Sequence, residues 1–100
     1  MNITCVIVDD EKLPRDLLME YLQQMPNIQV VGEASKGKEA VEVIDKLKPD
    51  LIFLDVQMPG MTGFDVLDEI THDPFVIFCT AYDQYAIRAF EKNAVDYLLK

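Results

Sequence analysis

Leu51-Ile52-Phe53-Leu54-Asp55-Val56-Gln57-Met58-Pro59-Gly60-Met61-Thr62-Gly63 is the stretch on which the fold turns. Four apolar residues in succession stop on an acid, and a loop with Pro59, Gly60 and Gly63 follows. That is how a strand covered on both faces reads, not the alternation of a half-exposed one. The same pattern opens the chain, where Ile3 to Val8 run into Asp9-Asp10. Ile28 to Val31 supply another strand, closing at Gly32. Phe75 to Cys79 form a fourth with Thr80 at its end, and Val95 to Leu99 a fifth with Lys100 just past it.

Helical patterns fill the intervals. From Leu13 to about Met25, Leu17, Leu18, Tyr21, Leu22 and Met25 recur at helical spacing, and Pro26-Asn27 breaks the pattern. From Gly37, the residues Ala40, Val41, Ile44 and Leu47 make one apolar face that ends at Lys48-Pro49. Phe64, Leu67 and Ile70, with Val66 beside them, mark a short third helix. Tyr82 to about Asn93 gives a fourth. His72 falls in a polar connection and is expected to be exposed. Strands alternating with helices imply an α/β domain with a parallel sheet covered on both faces.

One hundred residues, half of them apolar, are enough for one small core and one domain, residues 1–100. No run approaches the roughly 20 apolar residues that cross a bilayer. The N-terminus carries neither a basic segment nor a cleavage pattern, so no membrane association is expected and a cytoplasmic location is. The net charge of −9 and the absence of any Lys/Arg cluster argue against this segment binding a phosphate backbone. Cys5 and Cys79 both sit in apolar runs and are expected to be small core residues.

In open parallel sheets ligands bind beyond the carboxyl ends of the strands. There the sequence places Asp9, Asp10, Asp55, Thr80 and Lys100. Converging carboxylates need a proton or a metal among them, and an all-oxygen site suits Mg²⁺. An Asp can also act as a nucleophile toward phosphorus, with Mg²⁺, a Lys ammonium and a Thr hydroxyl as suitable groups for the phosphoryl oxygens. Taken singly, each residue has a plainer reading. Asp9 or Asp10 could cap a helix, Thr80 could be an ordinary strand residue and Lys100 solvated surface.

The segments Val6-Ile7-Val8-Asp9-Asp10-Glu11, Leu51 to Gly63, Thr80-Ala81 and Asp96-Tyr97-Leu98-Leu99-Lys100 together resemble the receiver domain of bacterial two-component response regulators, over the whole chain. The resemblance implies a flavodoxin-like, doubly wound, five-stranded parallel sheet of order 2-1-3-4-5. It implies Asp55 as the phosphorylated residue and Mg²⁺ held by Asp10, Asp55 and the backbone carbonyl of Gln57, with Asp9 acting through water. Thr80 and Lys100 would meet phosphoryl oxygens, and Tyr97 matches the family's switch aromatic. The implied donor is a sensor histidine kinase, docking near Leu13, Pro14 and Leu17. The implied behaviour is that of a signalling module, which assists its own phosphorylation and dephosphorylation, not a metabolic enzyme.

The stretch from Ala81 to Tyr97 is similar to receivers that precede LytTR-type DNA-binding domains, so a transcriptional output domain is expected beyond Lys100. Receivers of this family continue into a fifth helix, and the chain is expected to be a piece truncated before it. Apolar side chains left uncovered on one sheet face would invite dimerisation or exchange of segments. Two rivals stand beside this reading. An aspartyl-phosphate phosphatase would show a second Asp two residues from the nucleophile, where Gln57 stands. A pseudo-receiver acting by protein contact without phosphorylation would lack one of the acids, the Thr or the Lys.

Overall fold

The computed structural model describes residues 2–80 and 96–99, with Thr80 and residues 96–99 described through their backbone alone. Five strands, β1 (Ile3–Val8), β2 (Ile28–Ala34), β3 (Leu51–Leu54), β4 (Phe75–Thr80) and β5 (Asp96–Leu99), form one sheet of order β2-β1-β3-β4-β5. Every neighbouring pair is parallel. The helices are α1 (Lys12–Gln23), α2 (Gly37–Leu47) and α3 (Gly63–Glu69). The helix expected from Tyr82 to Asn93 lies outside the described residues. Among the described residues no helix is long and apolar enough to cross a membrane.

Side-chain alternation along the strands divides the core in two. Val6 and Val8, Ile52 and Leu54, and Val76 and Phe78 face α2 and α3, where they meet Ala40, Ile44, Phe64 and Val66. Phe64 and Phe78 contribute an aromatic contact with ring centroids 4.9 Å apart. Cys5, Ile7 and Phe53 face the other way, toward Leu18 and Leu22 of α1. The sheet is thus wound on both sides, which is why its strands read as unbroken apolar runs.

Two expectations are corrected here. β2 does not close at Gly32 but runs on to Ala34, with a register shift where β1 passes from Cys5 to Val6. The glycine is there for space: a Cβ on Gly32 would lie 2.9 Å from Leu47 Cδ1 and 3.3 Å from Val43 Cγ1, so its absence lets α2 close onto the sheet. The apolar face of α1 is also narrower than its sequence implies. Leu22 is buried and Leu18 half-buried, whereas Leu17 and Tyr21 are exposed. Each precedes its inward neighbour by one residue, and that single step is a rotation of about 100° around the helix.

Candidate functional site

The acids at the strand ends are brought together by the parallel register. Val8 pairs with Leu54, and the ladder continues one step further as the Asp55 amide donates to the Val8 carbonyl at 2.9 Å. Asp55 therefore emerges beside Asp9. On the other side of β1, the Asp9 amide donates to the Ala34 carbonyl at 3.1 Å, carrying the β1·β2 pairing to the same level. Asp9 and Asp55 are 5% and 4% exposed, the buried charged residues among those described, and Asp10 is half-buried.

The two buried aspartates are held by the same local device. Asp9 Oδ1 accepts the amide of Glu11 at 3.0 Å, and Asp55 Oδ1 accepts the amide of Gln57 at 3.3 Å. Each is an Asx-type turn, which fixes the carboxylate against its own loop. The N-cap position of α1 is taken by Glu11, whose own side chain makes no capping hydrogen bond, so neither Asp9 nor Asp10 stands at the N-cap.

One carboxylate oxygen from each of Asp9, Asp10 and Asp55 lies within 4.8 Å of the others. Ligands of an octahedral Mg²⁺ ion at about 2.1 Å stand about 3.0 Å apart when cis and about 4.2 Å apart when trans, so carboxylates this close can share one cation, directly or through a bound water, after side-chain shifts of about an ångström. The donor set is entirely oxygen, which favours a hard cation over zinc or copper. Gln57 is exposed and follows Asp55 by two residues, with its carbonyl in the same loop.

The loop after Asp55 is shaped by residues that the strand pattern does not single out. Gly60 has φ +83°, in the left-handed region that glycine occupies without strain. Gly63 opens α3, and its amide donates to the Val56 carbonyl at 2.8 Å. Thr62 caps α3: its hydroxyl accepts the Asp65 amide at 3.1 Å while Asp65 Oδ2 accepts the Thr62 amide at 2.9 Å. The signal that could have found this pair is Thr-x-x-Asp at the start of a helical pattern.

The remaining expected site residues are placed by backbone or lie beyond the described residues. Thr80 closes β4 in register with Leu99, the residue before Lys100, and Tyr97 pairs with Phe78. Since Leu54 pairs with Phe78, Asp55 is one position past that level and Thr80 two, so both stand at the same edge of the sheet. Lys100 lies outside the described residues. Two further expectations are revised. Cys5 is buried, but Cys79 is only partly so and lines an apolar groove against α1. His72 is half-buried, with Nε2 2.6 Å from the carbonyl oxygen of Pro49, so that nitrogen must carry the proton.

Comparison with known proteins agrees with this fold. The chain is 48% identical over 100 residues to an uncharacterized response regulatory protein of Vibrio parahaemolyticus, covering 98% of this chain and 41% of that protein. It is 46% identical to the transcriptional regulatory protein BtsR of Escherichia coli, covering 98% and 42%. It thus spans about two fifths of the length of these relatives. Among solved structures, the response regulator domain of Thermotoga maritima CheB superposes with a TM-score of 0.92 at 33% identity, covering 100% of this chain and 79% of that one. The response regulatory domain of Klebsiella pneumoniae mrkE gives 0.88 at 32% identity, covering 98% and 83%. Residues 5–100 match the response regulator receiver domain, and the chain belongs to that family.

Proposed function

We propose that this chain is a phospho-acceptor switch: Asp55 takes a phosphoryl group from the phosphohistidine of a sensor kinase, and the modified domain controls an output domain. The observation that carries the reading is the meeting of Asp9, Asp10 and Asp55 at the carboxyl ends of β1 and β3. An Asp55 carboxylate oxygen attacks phosphorus, the P–N bond to the imidazole breaks, and the electron pair returns to the ring nitrogen, leaving an acyl phosphate. Mg²⁺, held by Asp10, Asp55 and the Gln57 carbonyl with Asp9 through water, would neutralise charge on the phosphoryl oxygens.

The chain's own residues do the rest. The Asx turn at Asp55 holds the nucleophile against its loop, and its burial keeps competing water contacts few. Thr80 offers a hydroxyl and Lys100 an ammonium to the phosphoryl oxygens, and these new charge-assisted bonds bias a two-state equilibrium that Tyr97 follows. Exposed Leu13 and Leu17, with Pro14, line the apolar groove of about 460 Å³ beside α1 and provide a surface on which a kinase can be selected. The output is a C-terminal LytTR-type DNA-binding domain. The stretch from Ala81 to Tyr97 supports this, as does the description of BtsR as a transcriptional regulatory protein.

The test is intact mass after incubation with Mg²⁺ and a small acyl phosphate, comparing the chain with Asp55→Asn and with a chelator. A single phosphoryl adduct that requires both Mg²⁺ and Asp55 is expected. A folded, Mg²⁺-binding chain that forms no adduct would instead be a receiver acting by contact alone.

A further inference from the structure

Among the described residues, Arg15 is a cation built into the acidic end of the sheet, and its contacts are to the turn that carries the acidic cluster. Its side chain is 13% exposed. Nη1 donates to the carbonyl oxygen of Asp9 at 2.8 Å. Nε is buried 3.5 Å from Glu33 Oε1, an electrostatic contact without hydrogen-bond geometry. Glu33 is the β2 residue beside Ala34, whose carbonyl receives the Asp9 amide. The peptide on either side of Asp9 is therefore tied to β2, directly through its amide and indirectly through Arg15.

The carbonyl of Asp9 belongs to the peptide plane that joins Asp9 to Asp10. Fixing that plane sets the direction in which both side chains leave the backbone. We propose that Arg15 is a positioning residue for the acidic site, holding the Asp9–Asp10 peptide so that both carboxylates meet that of Asp55. The inference rests on the reading of that site as the Mg²⁺ site. Glu33 has a matching part: its carboxylate offsets the guanidinium charge, so the turn is braced without a net positive charge facing the incoming cation.

Charge and geometry predict opposite signs, which makes the proposal testable. Removing a cation beside a metal site strengthens cation binding if charge alone matters, whereas losing the brace weakens it. Mg²⁺ binding to the complete chain is measured by titration calorimetry for wild type, Arg15→Met, Arg15→Lys and Asp45→Asn. The last is a destabilised control remote from the turn. Arg15→Met is expected to bind about tenfold more weakly, the usual size of such an outer-shell loss. Arg15→Lys, which keeps one donor and the charge, falls between it and wild type, and Asp45→Asn matches wild type. Equal or tighter binding by folded Arg15→Met overturns the inference, as does a loss no larger than that of Asp45→Asn. Should Arg15→Met fail to fold, Arg15→Lys decides alone: weaker binding than wild type supports the brace and equal or tighter binding refutes it. A wild-type chain that takes up no Mg²⁺ overturns the site reading and the inference with it, whereas normal wild-type binding with unaffected variants overturns only the role of Arg15.

Discussion

Gly63 lies so close to the backbone of Asp55 that a Cβ at position 63 would meet the Asp55 carbonyl oxygen well inside the 3.0 Å that real Cβ atoms respect. The same hypothetical atom would stand 3.0 Å from Leu54 Cγ and 3.2 Å from the Asp55 carbonyl carbon. The first residue of α3 is thus packed on the peptide that carries the proposed nucleophile. Since the obstacles are mostly backbone, they cannot turn aside as the end of a flexible side chain would.

Gly63→Ala should accordingly affect both stability and chemistry. Overpacking of this kind costs about 1–3 kcal/mol, which thermal unfolding will show. The helix must also move away from Asp55, so phosphorylation by a small acyl phosphate should slow by more than the loss of folded protein explains. A variant that loses stability but retains the wild-type rate per folded molecule would show that the loop tolerates the shift.

The three carboxylates within 4.8 Å of one another make the metal-free chain less stable than it could be. At that distance a pair of like charges costs about 1 kcal/mol even in a water-like dielectric. Asn at position 55 retains an oxygen to accept the Gln57 amide while removing one charge. In chelator, Asp55→Asn is therefore expected to melt about 4 °C higher than wild type. Adding Mg²⁺ to ten times its dissociation constant should stabilise wild type by about 1.4 kcal/mol and the variant by clearly less. Parallel responses to Mg²⁺ in the two proteins would mean that Asp55 is not a ligand.

Burial raises the Cys5 thiol from 9.0 to about 11, whereas Cys79 is partly accessible along the groove beside α1. At pH 8.5 only about one Cys5 in three hundred would be thiolate, even before steric protection is counted. Alkylation followed by mass should therefore label Cys79 first, with Cys5 reacting on the timescale of unfolding. Simultaneous labelling of both would contradict the burial of β1.

How much of this was legible beforehand depended on whether the signal was local. β3 and its terminal Asp55 were readable because a strand covered on both faces needs apolar residues throughout and cannot keep them once it emerges. The Thr62–Asp65 cap left a local signal too, Thr-x-x-Asp within one turn, but the apolar spacing that marked the third helix does not single it out. The inward sector of α1 was not readable: Leu17, Leu18, Tyr21 and Leu22 all satisfy helical spacing, and only the position of the sheet selects Leu18 and Leu22. Gly32 looked like a stop because a glycine's steric use depends on Leu47 and Val43, which arrive from another element. Arg15 and Asp45 carried no sequence signal, because their partners come from distant turns and strands.

Asp45 provides the pH dependence. From α2 its carboxylate accepts the Thr71 amide at 2.9 and 3.2 Å and the His72 amide at 3.0 Å, closing the connection between α3 and β4. The His72 amide bond, foremost, holds its pKa below the ordinary 3.8; desolvation, next in size, opposes it, and the Thr71 bonds and Lys48 restore the downward balance. The unfolded chain therefore binds this proton more readily than the folded one. The stabilisation is complete above about pH 4 and declines as the pH falls through the folded-state value. Asp45→Asn should lower the melting temperature at pH 7, since an amide offers one acceptor oxygen where the carboxylate offers two. Its curve should also be flatter than wild type below pH 4, so that the two converge in acid. Melting temperatures from pH 7 to pH 2.5 test both parts, and a constant gap across that range would mean that the bond's contribution does not depend on the charge of Asp45.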